Sequence, residues 1–157
     1  MSYLVDGNNV MAQRVGWHRD KAGARRGLLD ELARFAAAKR ARVAVVFDGA
    51  PAEFFPDGAS YQGVRIHYAE RGSNADERIK ALVEAARERR TLKVVTSDRA
   101  LADYVRRCGV QVVRSGEFRR QMAETEQAHA AHKSKQEIEA DEAHWLRYFG
   151  VAPEDDE

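Results

Sequence analysis

The stretch Arg42-Val43-Ala44-Val45-Val46-Phe47-Asp48-Gly49 holds five consecutive apolar residues with no polar alternation. A strand wetted on one face alternates; one that does not alternate is buried on both faces. Such a strand belongs in a parallel sheet with helices above and below it. The rest of the chain supplies both elements. Tyr3–Val5 reads as a short buried strand, Val64–Tyr68 as an alternating strand nearer an edge, Leu92–Asp98 as a fourth strand ending in polar groups, and Val110–Val113 as a fifth.

Between them lie helical patterns. Leu28, Leu29, Leu32, Phe35 and Ala36 form one stripe within residues 22–40, and Ile79, Leu82, Val83 and Ala86 form another within residues 75–89. Asn74…Glu77 has capping-box spacing at the start of that second helix. Leu101, Ala102 and Val105 mark a third helix, which Gly109 should stop. Residues 51–61 read as a loop with two prolines, residues from Gly116 to about Lys133 as helical, and the polar chain beyond Met122 as one long helix or two. Strands alternating with helices predict an α/β fold with a mostly parallel, about five-stranded sheet covered on both faces.

The chain has 157 residues, 44% of them hydrophobic, enough for a single core-forming domain. Cys108 is the only cysteine, so no intrachain disulfide and no CxxC metal site can form. No apolar run reaches the roughly 20 residues of a membrane span. Asp6 interrupts any signal-like segment, so the expected location is cytoplasmic. The net charge of +1 conceals an asymmetry: residues 1–120 carry a balance of +8 and residues 121–157 a balance of −7. A basic body fits a polyanionic partner, or else solvated helix faces. The division places a basic body at 1–120 and a charged helical C-terminal extension with an acidic end at 121–157. The aromatic cluster Trp145, Leu146, Tyr148 and Phe149 should dock on something, and residues 154–157 are expected to be disordered.

In an open parallel sheet, ligands bind at the carboxyl ends of the strands. There this chain places Asp6 after the first strand, Asp48 after the second, Ser97-Asp98 after the fourth, and Asp76 in the first turn of a helix. Singly, each acid has a bland reading as a turn former, a helix cap or a dipole partner. Together, four carboxylates at one edge repel one another, and a cation is the simplest way to offset that cost. Oxygen donors without thiolate favour Mg²⁺ or Mn²⁺ over Zn²⁺. Carboxylates holding such ions suit phosphodiester cleavage, with the basic body gripping flanking phosphates. Asn8 and Asn9 lie beside Asp6, where Gly7 signals a tight turn. Trp17, Phe54, Phe55 and Tyr61 fall in loops near this edge and suit either base stacking or anchoring to the core. His129 and His132 share a helix face, read as solvated, and no HExxH, GxxxxGK[ST] or GxSxG is present.

The motifs LVDGNNV, VVFDG, NADERI and VVTSDRAL, in this order over residues 2–120, resemble the NYN branch of the PIN-like nucleases, and most closely its YacP-like group. That group includes a ribosome-associated bacterial endoribonuclease. The resemblance implies a three-layer α/β/α sandwich and Mg²⁺- or Mn²⁺-dependent cleavage of single-stranded RNA by an activated water, leaving a 3′-hydroxyl and a 5′-phosphate. It assigns Asp6, Asp48, Asp76 and Asp98 to the metal, and adds Asn9 and Ser97 to the catalytic set. Asn8 occupies a variable position. Asn8, Arg14, Arg19, Lys21, Arg25 and Arg99 are the candidate RNA contacts. RNA and the ribosome are the implied partners, and a homodimer is an open possibility. The extension has three available roles: covering the basic face, docking a partner or closing a dimer.

Two other readings stand beside this one. A non-catalytic RNA- or ribosome-binding module on the same fold needs the basic surface but no metal. A metal-dependent phosphatase of the haloacid-dehalogenase type needs Asp-x-Asp after the first strand, and here the second position is Asn8.

Overall fold

A computed structural model of the chain describes residues 1–51, 55–69 and 72–148, without the side chains of Lys133 and residues 145–148. The elements in order are β1 (Ser2–Asp6), α1 (Gly7–Met11), a short 3-10 turn at Trp17–Arg19, α2 (Lys21–Lys39), β2 (Arg42–Phe47), β3 (Ser60–Tyr61), β4 (Val64–Tyr68), α3 (Ala75–Ala85), β5 (Leu92–Val95), α4 (Arg99–Arg107), β6 (Gln111–Val113) and α5 (Ser115–Tyr148). One six-stranded sheet runs in the order β3-β4-β2-β1-β5-β6. All pairings are parallel except β3 with β4. The sixth strand, β3, lies inside the segment 51–61 that reads as a loop. Two residues are too few to show a period, and their pairing is set by the turn at Gln62-Gly63, where both φ angles are positive.

The sheet has two dry faces because side chains alternate along each strand. Tyr3 and Val5, with Val43, Val45, Phe47, Val64, Ile66 and Tyr68, face α1, α2 and the start of α5. Leu4, Val46, Leu92 and Val94 face α3 and α4, meeting Ile79, Val83, Leu101 and Val105. The result is the three-layer α/β/α sandwich expected from the sequence. Cys108 caps the end of helix α4, and Gly109 at φ +83° provides the left-handed stop. Cys108 is half-buried against the second core. Phe55, Tyr61 and Trp17 pack on the first core, so among the described loop aromatics anchoring is the observed role; Phe54 lies outside the described residues.

Helix α5 crosses the boundary drawn at residue 120 without a break. Phe118 and Met122 are in the core, and Arg34 on α2 pairs with Glu126. Truncation near residue 122 therefore removes packing as well as charge; a cut near residue 130 leaves those contacts in place. Beyond Glu126 almost every described side chain is exposed. The aromatic cluster at 145–149 and the acidic end at 154–157 fall outside the described side chains.

Gly7 opens α1 directly at the end of β1, so there is no tight turn there. The reason for glycine is a close approach: a Cβ would sit 2.6 Å from Cδ1 of Phe47 and 2.9 Å from the Val46 carbonyl oxygen. Gly7→Ala should lower stability by about 1–3 kcal/mol through overpacking. Gly27→Ala, inside α2 with nothing within 4 Å of the added carbon, should be neutral or raise stability by up to about 1 kcal/mol. Denaturant midpoints of the two variants check the contrast, and equal behaviour would contradict the close approach.

Candidate functional site

The chain moves outward from β1 through β2 to β4, then returns to lay β5 on the other side of β1. The switch point thus lies at the carboxyl ends of β1 and β5, where open α/β sheets bind ligands. Asp6 is the last residue of β1 and only 5% exposed. Its Oδ2 accepts a hydrogen bond from the Thr96 hydroxyl at 3.0 Å. Thr96, fully buried just past β5, also accepts from the Asp98 N–H at 3.2 Å. Asp98 in turn caps α4, its Oδ1 accepting from the Leu101 N–H at 2.9 Å.

On the β2 side, Asp48 Oδ1 accepts from the Ala75 N–H at 2.7 Å. A helix start leaves such N–H groups without intrahelical partners, so Asp48 anchors the first turn of α3. Asn74 caps the same turn by accepting from the Glu77 N–H at 2.9 Å. Asp76, next to Ala75, is placed by this anchor. All four acids thus lie around one edge of the sheet.

The two Asn side chains fasten that edge from the centre. Asn8 Oδ1 accepts from the Asp48 N–H at 3.0 Å. Asn9 Oδ1 accepts from the Ser97 N–H at 2.9 Å and from the Ser115 hydroxyl. Ser97 Oγ accepts from the Ser115 N–H at 3.0 Å. Asn8 therefore holds the end of β2, and Asn9 holds the end of β5 and the start of α5. Sequence reading missed Thr96 and Ser115. Thr96 stood in VVTSDRAL as one hydroxyl residue beside another. Ser115 had only its place before a helix as a signal.

The electrostatics follow from this placement. Burial pushes the Asp6 carboxyl up to about 6; the Asp76 and Asp48 charges push the same way, and the Thr96 hydroxyl works against them. Asp76 is also raised, first by burial and then by Asp98 and Asp48. Asp48 and Asp98 each accept one hydrogen bond through Oδ1; Asp6 accepts from the Thr96 hydroxyl, and the Asn9 backbone N–H also favours its charged form; among the described residues the Asp76 carboxylate accepts none. Among the described residues no three Asp, Glu, His or Cys side chains are grouped closely enough to hold a metal ion between them. The acids ring an edge rather than converge on a point. An open ring of carboxylate oxygens fits Mg²⁺ or Mn²⁺ better than Zn²⁺, because Mg²⁺ keeps several waters and takes only one or two carboxylates along with substrate phosphate.

The candidate RNA contacts separate into committed and open side chains. Arg25 donates to the carbonyls of Asp48 and Ala50 and stacks over Phe47 and Tyr68, at 5.2 and 5.5 Å from the ring centroids. It holds the loop carrying Asp48. Arg14 pairs with Glu31 at 3.3 Å. Lys21 lies 5.9 Å from the Trp17 ring centroid. Arg19 and Arg99 are exposed.

Two outcomes test this geometry in metal-free protein. Asp6 has a raised pKa in the fold, so its contribution is complete below its unfolded value near 4 and is lost as pH rises through about 6. Asp6→Asn should match wild type near pH 4 and exceed its stability at pH 7, by on the order of 2–3 kcal/mol. Denaturation with EDTA at several pH values measures it; a constant difference would contradict the burial argument. Asn9→Ala should lose about 1–3 kcal/mol, because it strands the buried Ser115 hydroxyl and the Ser97 N–H.

The family model of the YacP-like NYN domain matches residues 3–147, past the segment 2–120 that carries the four motifs. Among curated protein sequences none matches. Two crystal structures of Rae1 (YacP) from Bacillus subtilis are similar. One, a Trp-to-Leu mutant, has a TM-score of 0.71 at 25% identity, over 86% of this chain and 82% of that one. The other has a TM-score of 0.69 at 23% identity, over 96% of this chain and 88% of that one. No helix among the described residues is long and apolar enough to cross a membrane. The chain belongs to the YacP-like NYN domains, a nuclease-type family.

Proposed function

We propose that the chain is a Mg²⁺- or Mn²⁺-dependent endoribonuclease that hydrolyses single-stranded RNA, with messenger RNA at or near the ribosome as its setting. The observation that carries this reading is the acid ring at the β1/β5 switch point, fastened by Asn8, Asn9, Thr96 and Ser115. Helix starts use Asp48 and Asp98, but that explains neither buried Asp6 nor the crowding of all four acids, and the raised Asp6 and Asp76 record the cost. The family membership and the likeness to Rae1 support the same reading.

Asp6, Asp48, Asp76 and Asp98 would hold the ion through their carboxylate oxygens. Bound there, a divalent ion would supply Lewis-acid stabilisation of charge on the scissile phosphate and a lowered pKa for attacking water. The protein's own groups do the positioning. Asn9 spends its carbonyl oxygen on Ser97 and Ser115 and keeps its amide N–H₂ for a substrate oxygen. Ser97 accepts from Ser115 and is exposed, so its O–H proton can be donated to phosphate. No side chain is required as a covalent nucleophile.

Incubation with labelled single-stranded RNA and Mg²⁺ or Mn²⁺ should give internal cleavage that EDTA abolishes. Asp6→Asn should lower kcat/KM by at least about 100-fold, the range for removing a charge-stabilising group from a catalytic centre. Cleavage unaffected by both EDTA and the substitution would refute the site. RNA binding without any cleavage by wild type would leave a non-catalytic RNA-binding module.

A further inference from the structure

A second feature borders the acid ring. A cavity of about 410 Å³ is lined by Thr96, Ser97, Arg99, Asp103, Arg106 and Arg114, with Ala102 and Val112 as apolar surface. Its three arginines come from three places: the first residue of α4, the last turn of α4, and the residue after β6. Thr96 and Ser97 are shared with the site, for both make hydrogen bonds that hold the acid ring.

The arginines differ from those on the other side of the site. Arg14 pairs with Glu31, Arg25 holds two carbonyls, Arg78 pairs with Asp57 and Arg119 with Glu31. Among the described residues the guanidinium groups of Arg99 and Arg114 have neither an ion pair nor a hydrogen bond; the Arg114 backbone carbonyl accepts from the Phe118 N–H at 2.9 Å. Arg106 meets Asp103 at 3.5 Å, with both side chains more than half exposed. Such an exposed pair is weak and readily exchanged. Three guanidiniums against one carboxylate leave the lining positive. Guanidinium forks match phosphate oxygens bidentately. The volume lies within the range of small-ligand pockets, and Ala102 with Val112 offers a surface for a sugar or base.

We propose that Arg99, Arg106 and Arg114 form a subsite for the nucleotide next to the scissile phosphate of a single-stranded RNA. The inference rests on the nuclease reading for what lies next door, but binding alone can test it. With the scissile phosphate at the acids, the strand passes over Ser97 and sets its neighbouring phosphate among the three arginines. Grip on that phosphate fixes the register of the strand at the acids.

The test is binding of a short labelled single-stranded oligoribonucleotide in EDTA, titrated at several salt concentrations. The triple variant Arg99→Ala, Arg106→Ala, Arg114→Ala should bind more weakly, with a plot of log affinity against log salt shallower by about 0.7, the amount for one phosphate no longer neutralised. The triple Arg-to-Lys variant should restore the slope but not the full affinity. Arg107→Ala, on the same helix but outside the lining, serves as the control and should change the slope by less than any single lining variant. In cleavage assays with Mg²⁺ the triple Ala variant should raise KM more than it lowers kcat. If it matches Arg107→Ala in affinity and slope, the subsite is overturned, whatever the cleavage assay shows. If wild type binds but never cleaves, the nuclease reading fails, and the slope still decides whether the cavity holds phosphate. Melting curves verify that these exposed substitutions leave the fold intact.

Discussion

Helix α1 begins at Gly7 with no loop between it and the last residue of β1, and the absence of a side chain there makes this possible. Phe47 and the Val46 carbonyl occupy the space a Cβ would need. Because the helix starts at once, Asn8 and Asn9 emerge beside the central strand about 100° apart around the helix axis. One reaches the end of β2 and the other the end of β5. A looser connection would carry both amides away from the strand ends they join. The close approach at Gly7 therefore sets the spacing of the whole acid edge.

From that spacing the electrostatic character follows. Asp48 and Asp98 do two jobs each: they satisfy helix N-termini and they present a second oxygen at the edge. Asp6 is different. It is buried and neighboured by other carboxylates, and the Thr96 hydroxyl and the Asn9 backbone N–H do not offset the cost of its charge. Structural economy would put an uncharged residue at that position. A helix-capping role does not explain an acid there.

The layers, the parallel sheet and the four acids were legible in the sequence because each leaves a local trace. Val43–Phe47 shows its double-sided burial by failing to alternate, and Asn74…Glu77 shows a helix start by spacing alone. Other features left no such trace. Gly7 reads as a turn because a glycine required by a distant Phe47 has the same letter as one required by its own φ. Arg25 reads as a free cation because its carbonyl partners lie 23 and 25 positions away. Thr96 and Ser115 were invisible as site residues, since what makes them matter is contact with Asp6 and Asn9. The two-residue β3 was too short for any period to show.

The hydrogen bonds that complete the acid edge join residues far apart in the chain: Asn9 with Ser97 across 88 positions, Asp6 with Thr96 across 90, and Asn9 with Ser115 across 106. Closing such long loops costs chain entropy before any contact repays it. A chain made from its N-terminus exposes Asp6 first, cannot fasten it until Thr96 has emerged, and cannot complete the edge at Asn9 until residue 115 has emerged and α5 has begun to dock. The acid edge is therefore among the last things the growing polypeptide can assemble, and an unfinished chain carries the acids without the arrangement that gives them meaning.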